Sequence, residues 1–107
     1  MQRLLFVCSR NRKRSPTAER LFADRPHVET ASAGLAPDAD EVLTPDHIEE
    51  ADLIFVMERV HQKRLNQHFG RWLKGKKIVC LNIPDDYEYM QPELVALLEA
   101  RVSPHLK

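Results

Sequence analysis

The fold of this chain is constrained most by four strand segments that alternate with helical patterns. Arg3–Cys8, Asp52–Met57 and Lys76–Leu81 carry nearly continuous apolar runs, and His27–Gly34 is a short strand ending in small residues. Uninterrupted apolar runs of this length predict strands buried on both faces, as in parallel sheets. Between them, Pro16–Asp24 places Ala18, Leu21 and Phe22 on one helical face. Thr44-Pro45-Asp46 is a cap-and-proline helix start, and that helix runs to about Ala51. Arg59–Phe69 is helical with Val60, Leu65 and Phe69 inward and Gly70 as its stop, and Pro92–Val102 forms the last helix. Alternation of this kind predicts an α/β fold: a four-stranded parallel sheet with helices on both faces. At 107 residues the chain is one domain, residues 1–107, with a single core.

In such sheets ligands bind beyond the carboxyl ends of the strands. Cys8, Gly34, Met57 and the loop from Asn82 all fall there. The first of these ends is unusual. Cys8-Ser9-Arg10-Asn11-Arg12-Lys13-Arg14-Ser15 puts a cysteine, five residues, an arginine and a hydroxyl between a strand and a helix. Five residues suffice for successive backbone N–H groups to wrap a phosphate-sized anion. Ser15-Pro16 reads as cap and first turn of a helix whose dipole favours the same anion. Arg14 matches two anion oxygens bidentately. Asn11 suits an inward turn because it tolerates positive φ. In this field Cys8 is expected as its thiolate, the nucleophilic form. Ser9, Arg10, Asn11, Arg12, Lys13 and Ser15 are the expected phosphate-binding residues, with Cys8 and Arg14 catalytic. Release of an alkoxide or phenoxide needs a proton donor. Asp85 and Asp86, on the loop after the fourth strand, are the candidates, and Tyr87 and Tyr89 are either pocket walls or loop anchors. No metal and no cofactor is required, since arginine and amides supply the electrostatics.

These residues resemble the active-site loop of the low-molecular-weight protein tyrosine phosphatases, of form Cys-x-x-Asn-x-x-Arg-Ser followed by Pro and Ala-Glu. Ser32-Ala33-Gly34 resembles that family's Ser-Ala-Gly, and Asp85-Asp86-Tyr87 its Asp-Pro-aromatic motif. The likeness implies strand order 2-1-3-4 and phosphotyrosine in proteins as substrate. It also implies that Asp85 is the acid, that Ser15 supports the thiolate, and that Ser32 is a supporting residue bonded to Asn11. The chain departs from the family in three ways: the middle is shorter, Asp86 replaces the proline, and Arg10 and Lys13 stand where a small residue and a second cysteine are common. Arg10, Arg12 and Lys13 are expected at the rim, where they would attract anionic substrates.

Net charge is zero but uneven. Residues 26–58 hold nine acids and no Lys/Arg, while residues 59–77 hold seven basic residues and no acids. A phosphorylated protein is the favoured partner. A terminal phosphate of a nucleic acid is the less favoured substrate, and a non-catalytic phosphate-binding module is the binding-protein alternative. An arsenate reductase needs more thiols than Cys80 supplies, and a phosphocysteine carrier gives no reason for Arg14. Three glycines exclude a Gly-rich dinucleotide loop. His61 and His68 read as solvated positions on one helix face. Without a signal peptide pattern or membrane span, and with two cysteines ending buried strands, a reduced cytoplasmic setting is expected. Oligomeric state is not legible.

Overall fold

A computed structural model describes residues 1–106. Strand β1 (Gln2–Cys8) is followed by α1 (Arg14–Phe22), β2 (Val28–Gly34), α2 (Pro45–Glu50), β3 (Leu53–Val56), α3 (Arg59–Phe69), β4 (Lys77–Cys80) and α4 (Pro92–Val102). Short 3₁₀ turns follow α3 and α4, at Gly70–Trp72 and Ser103–His105. The four strands form one sheet in the order β2-β1-β3-β4, every pair parallel, as expected. Among the described residues, no helix is long and apolar enough to cross a membrane.

Alternate residues of the central strands face opposite layers, which divides the core in two. Leu4, Phe6, Cys8, Leu53 and Phe55 pack against Ala18 and Phe22 of α1 and Leu94, Leu98 and Val102 of α4. Leu5, Val7, Ile54 and Val56 pack against Ile48 of α2 and Leu65 of α3 on the other face. Phe6 stacks between Phe22 and Phe55, with centroids 6.0 and 5.3 Å away. This two-sided burial is why β1 and β3 needed unbroken apolar runs.

Three local expectations need correction. Helix α1 begins at Arg14, so Ser15 lies inside its first turn and caps nothing; the N-cap residue is Lys13, which makes no side-chain cap bond. Val60 is 51% exposed, because Leu65 and Phe69 alone carry the apolar contact of α3 with the sheet. The inward place near the start of α3 belongs instead to His61, which is 1% exposed and not solvated. Gly70 stops α3 as expected, though in a right-handed conformation, the chain continuing into a 3₁₀ turn.

Candidate active site

The loop between β1 and α1 is shaped by its neighbour, residues 34–40. Backbone N–H groups of Leu35, Ala36 and Asp40 donate to the carbonyls of Cys8, Ser9 and Arg10 at 3.0, 2.8 and 3.1 Å. Because each trans peptide directs its C=O and N–H oppositely, the following N–H groups of Ser9, Arg10 and Asn11 turn away from that segment, toward the hollow of the loop. The Asn11 N–H points at Cys8 Sγ, 3.3 Å away. Asn11 makes the inward turn with φ of 57°. Gly34 permits the close approach: a Cβ there would lie 2.5 Å from Ser9 O and 2.6 Å from Ala39 Cβ.

Cys8, 4% exposed, forms the floor. Its Sγ is 2.8 Å from Ser15 Oγ. Asn11 Nδ2 donates to that same oxygen at 2.9 Å, so the single proton of Ser15 is available for the sulfur. Two donors thus converge on Sγ. Both cysteines of the chain are free.

Arg14, also 4% exposed, is held from the far side. Its Nη1 donates to Glu58 Oε2 at 2.6 Å and to the Ile83 carbonyl at 2.7 Å, while its Nε lies 3.7 Å from Asp85 Oδ1. Cys8, Ser9, Arg10, Asn11, Arg12, Lys13, Arg14 and Asp85 together line an open cavity of about 520 Å³. Asp86 does not line it. Tyr87 packs half-buried against the core and Tyr89 is exposed, so both are loop residues and not cavity walls. A second hollow of about 310 Å³, between Arg3, Glu29 and His47, is lined by no cysteine.

The rim differs from expectation. Each extra cation has a carboxylate partner: Arg10 with Asp38 at 3.8 Å, Arg12 with Asp40 at 3.2 Å, Lys13 with Glu88 at 2.7 Å. Ser32 Oγ donates to Glu19 Oε1 at 2.5 Å and not to Asn11, since the Asn11 amide faces into the loop toward Ser15. Ser32 therefore ties β2 to α1 and supports the loop only through that helix.

Four residues were missed. Glu58 is the first polar residue after β3, so topology alone put it at the carboxyl edge. Thr17, fully buried, donates to Lys13 O and accepts from Met90 N at 3.0 Å, joining α1 to the loop that carries Asp85. Glu19 is the partner of Ser32. His61 Nε2 lies 3.1 Å from Ser9 Oγ, and its Nδ1 accepts from the Glu58 N–H at 3.1 Å. Burial, and then the Arg14 charge, push its pKa down to about 4, against the opposing pull of Glu58. Among the described residues, no group of three or more His, Cys, Asp or Glu stands close enough to hold a metal ion.

No protein-family model and no curated protein matches this sequence. Solved structures do. YwlE from Bacillus subtilis is 26% identical over 100% of both chains, with a TM-score of 0.76, and YwlE is an arginine phosphatase. The tyrosine phosphatase amsI of Erwinia amylovora is 26% identical over 95% of this chain and 89% of its own, with a TM-score of 0.75. The low-molecular-weight protein tyrosine phosphatase of T. tengcongensis shares the fold at 23% identity, over 99% and 100% of the two chains, with a TM-score of 0.78. Over its whole length the chain thus resembles the low-molecular-weight protein tyrosine phosphatases, and it is an enzyme of the phosphatase kind.

Proposed function

We propose that the chain, as one phosphatase domain over residues 1–107, hydrolyses phosphomonoesters through a phosphocysteine formed on Cys8, with phosphotyrosine in proteins as the substrate. The observation that carries this is the cavity in which a cysteine at the floor faces a buried arginine and one carboxylate on the wall. The Cys8 thiolate attacks phosphorus, forming the P–S bond as the ester P–O bond breaks. Asp85, entering as the acid, gives its proton to the departing oxygen. Loop amides and Arg14 bind the equatorial oxygens, while Glu58 and the Ile83 carbonyl keep the guanidinium oriented. Water then attacks phosphorus, Asp85 takes its proton, the P–S bond breaks and orthophosphate leaves. Ser15 stabilises the sulfur anion that departs. Asp85 is preferred to Asp86 because only Asp85 lines the cavity. A free thiol nucleophile suits a reducing, cytoplasmic setting.

Purified protein should hydrolyse para-nitrophenyl phosphate in EDTA, and Cys8→Ser should lose essentially all turnover. Retained turnover in Cys8→Ser refutes the covalent mechanism, and an inactive wild type that still binds phosphate favours a binding module. The likeness to YwlE supports phosphoarginine as the second substrate reading. Comparing kcat/KM for phosphotyrosine and phosphoarginine peptides of one sequence separates the two.

A further inference from the structure

Among the described residues, the one buried titratable side chain beside the cavity that the proposed chemistry leaves unused is His61. Its two ring nitrogens have different partners. Nδ1 accepts the Glu58 N–H, so the ring's single proton in the neutral form lies on Nε2, which faces Ser9 Oγ. With a pKa near 4, the ring is neutral at pH 7. Ser9 Oγ has no other bond among the described residues, and Ser9 lines the cavity.

We propose that His61 is a positioning residue for the anion site: its Nε2–H occupies a lone pair of Ser9 Oγ, turning the Ser9 O–H to donate to a phosphoryl oxygen above Cys8. A serine free to rotate would divide its hydroxyl between accepting and donating; one that already accepts from a fixed imidazole is biased to donate. The same ring fixes the first turn of α3, from which Glu58 reaches Arg14. One histidine therefore aligns a hydroxyl on one side of the anion and the arginine's carboxylate partner on the other. This inference rests on the reading of the cavity as a phosphoryl site.

The test is the affinity of inorganic phosphate, measured by titration calorimetry at pH 7 on four chains besides wild type. Ser9→Ala removes the hydroxyl. His61→Asn keeps an acceptor near Nδ1 and loses the donor at Nε2, whereas His61→Gln keeps the donor. The fourth chain combines Ser9→Ala with His61→Asn. A hydrogen bond to an anion predicts roughly 10-fold weaker binding in Ser9→Ala and in His61→Asn. The double variant should be no weaker than Ser9→Ala alone, and His61→Gln should recover most of the affinity. Additive losses, or a His61→Asn loss that persists undiminished without the serine hydroxyl, overturn the proposal. If His61→Asn does not fold, Ser9→Ala still decides, since undiminished phosphate binding there overturns it. Absence of phosphate binding in the wild type removes the anion site and this inference together, whereas binding that ignores Ser9 removes this inference only.

Discussion

Arg14 and Glu58 meet at 2.6 Å, the guanidinium buried and the carboxylate partly open to solvent. They come from α1 and the start of α3, on opposite sides of the central strand pair, so their contact fixes the arginine relative to the sheet edge. A planar clamp held this way cannot be replaced by a point charge. Arg14→Lys should reduce kcat for para-nitrophenyl phosphate by roughly 100-fold or more, the scale for losing an oxyanion donor. Glu58→Gln keeps an acceptor and should cost less. Steady-state kinetics check both, and wild-type turnover in Arg14→Lys removes the arginine from its role.

Gly34→Ala should damage the site without touching a functional side chain. The added methyl meets a backbone carbonyl and a neighbouring Cβ inside 2.7 Å, and neither is the end of a flexible side chain. Relief requires residues 9–10 and 34–39 to separate, which breaks the backbone ladder that turns the loop's amides inward. The expected cost is about 1–3 kcal/mol of stability. Phosphate affinity should fall with it. Denaturant unfolding and phosphate titration measure the two.

The two adjacent aspartates separate by leaving group. Asp85→Asn should lower kcat for phenyl phosphate by roughly 100-fold or more, as for a general acid. The loss should be smaller with para-nitrophenyl phosphate, whose phenolate departs without needing a proton. Asp86→Asn should leave both rates within about 2-fold. A reversed pattern assigns the acid to Asp86.

Stability should fall with acid through His61. Its folded pKa of about 4 lies below the ordinary 6.5, so the unfolded chain binds the proton more readily between those values. Stability therefore rises with pH across roughly pH 4 to 6.5, and what is present at pH 7 is lost on the way down. The contribution is on the order of 3 kcal/mol. Arg14 and Arg64 reinforce the depression, while Glu58 and Asp85 oppose it. Urea unfolding of wild type and His61→Gln at pH 7 and pH 5 isolates the effect: the gap between them should narrow at the lower pH. An unchanged gap rejects it.

The four buried parallel strands, the Cys8–Ser15 loop and the positive φ of Asn11 were legible in the sequence because each follows from local spacing or from the burial of a whole strand, whereas the strand order came only from the family likeness. Glu58 and His61 were not, because their roles depend on which side of the sheet α3 packs and how it is turned. The pattern Glu58-x-x-His61 is a capping box written with an unusual third residue, and Val60 offered a more apolar neighbour for the inward place. The rim partners were hidden for another reason. Asp38, Asp40 and Glu88 lie 28, 28 and 75 positions from Arg10, Arg12 and Lys13, too far for any local rule.

That rim decides between a peptide and a polynucleotide. Unpaired, Arg10, Arg12 and Lys13 would give an extended polyanion three backbone contacts, and each would add roughly 0.7–0.9 to the slope of log affinity against log salt. Paired with carboxylates, they present little net charge beyond the reacting phosphate. An entering strand would have to displace Asp38, Asp40 and Glu88 and leave them facing its own phosphates. A phosphotyrosine peptide needs no such exchange, since its ring leaves the cavity as a neutral body. Activity on the peptide should therefore show a shallow salt dependence, and neutralising all three cations should raise KM modestly with kcat nearly unchanged. A phosphate-terminated oligonucleotide should be the poorer substrate. Measuring kcat/KM for both across a salt series tests this: preference for the oligonucleotide by more than about 10-fold, with a steep slope, assigns the enzyme to nucleic-acid ends while leaving Cys8 and Arg14 in place.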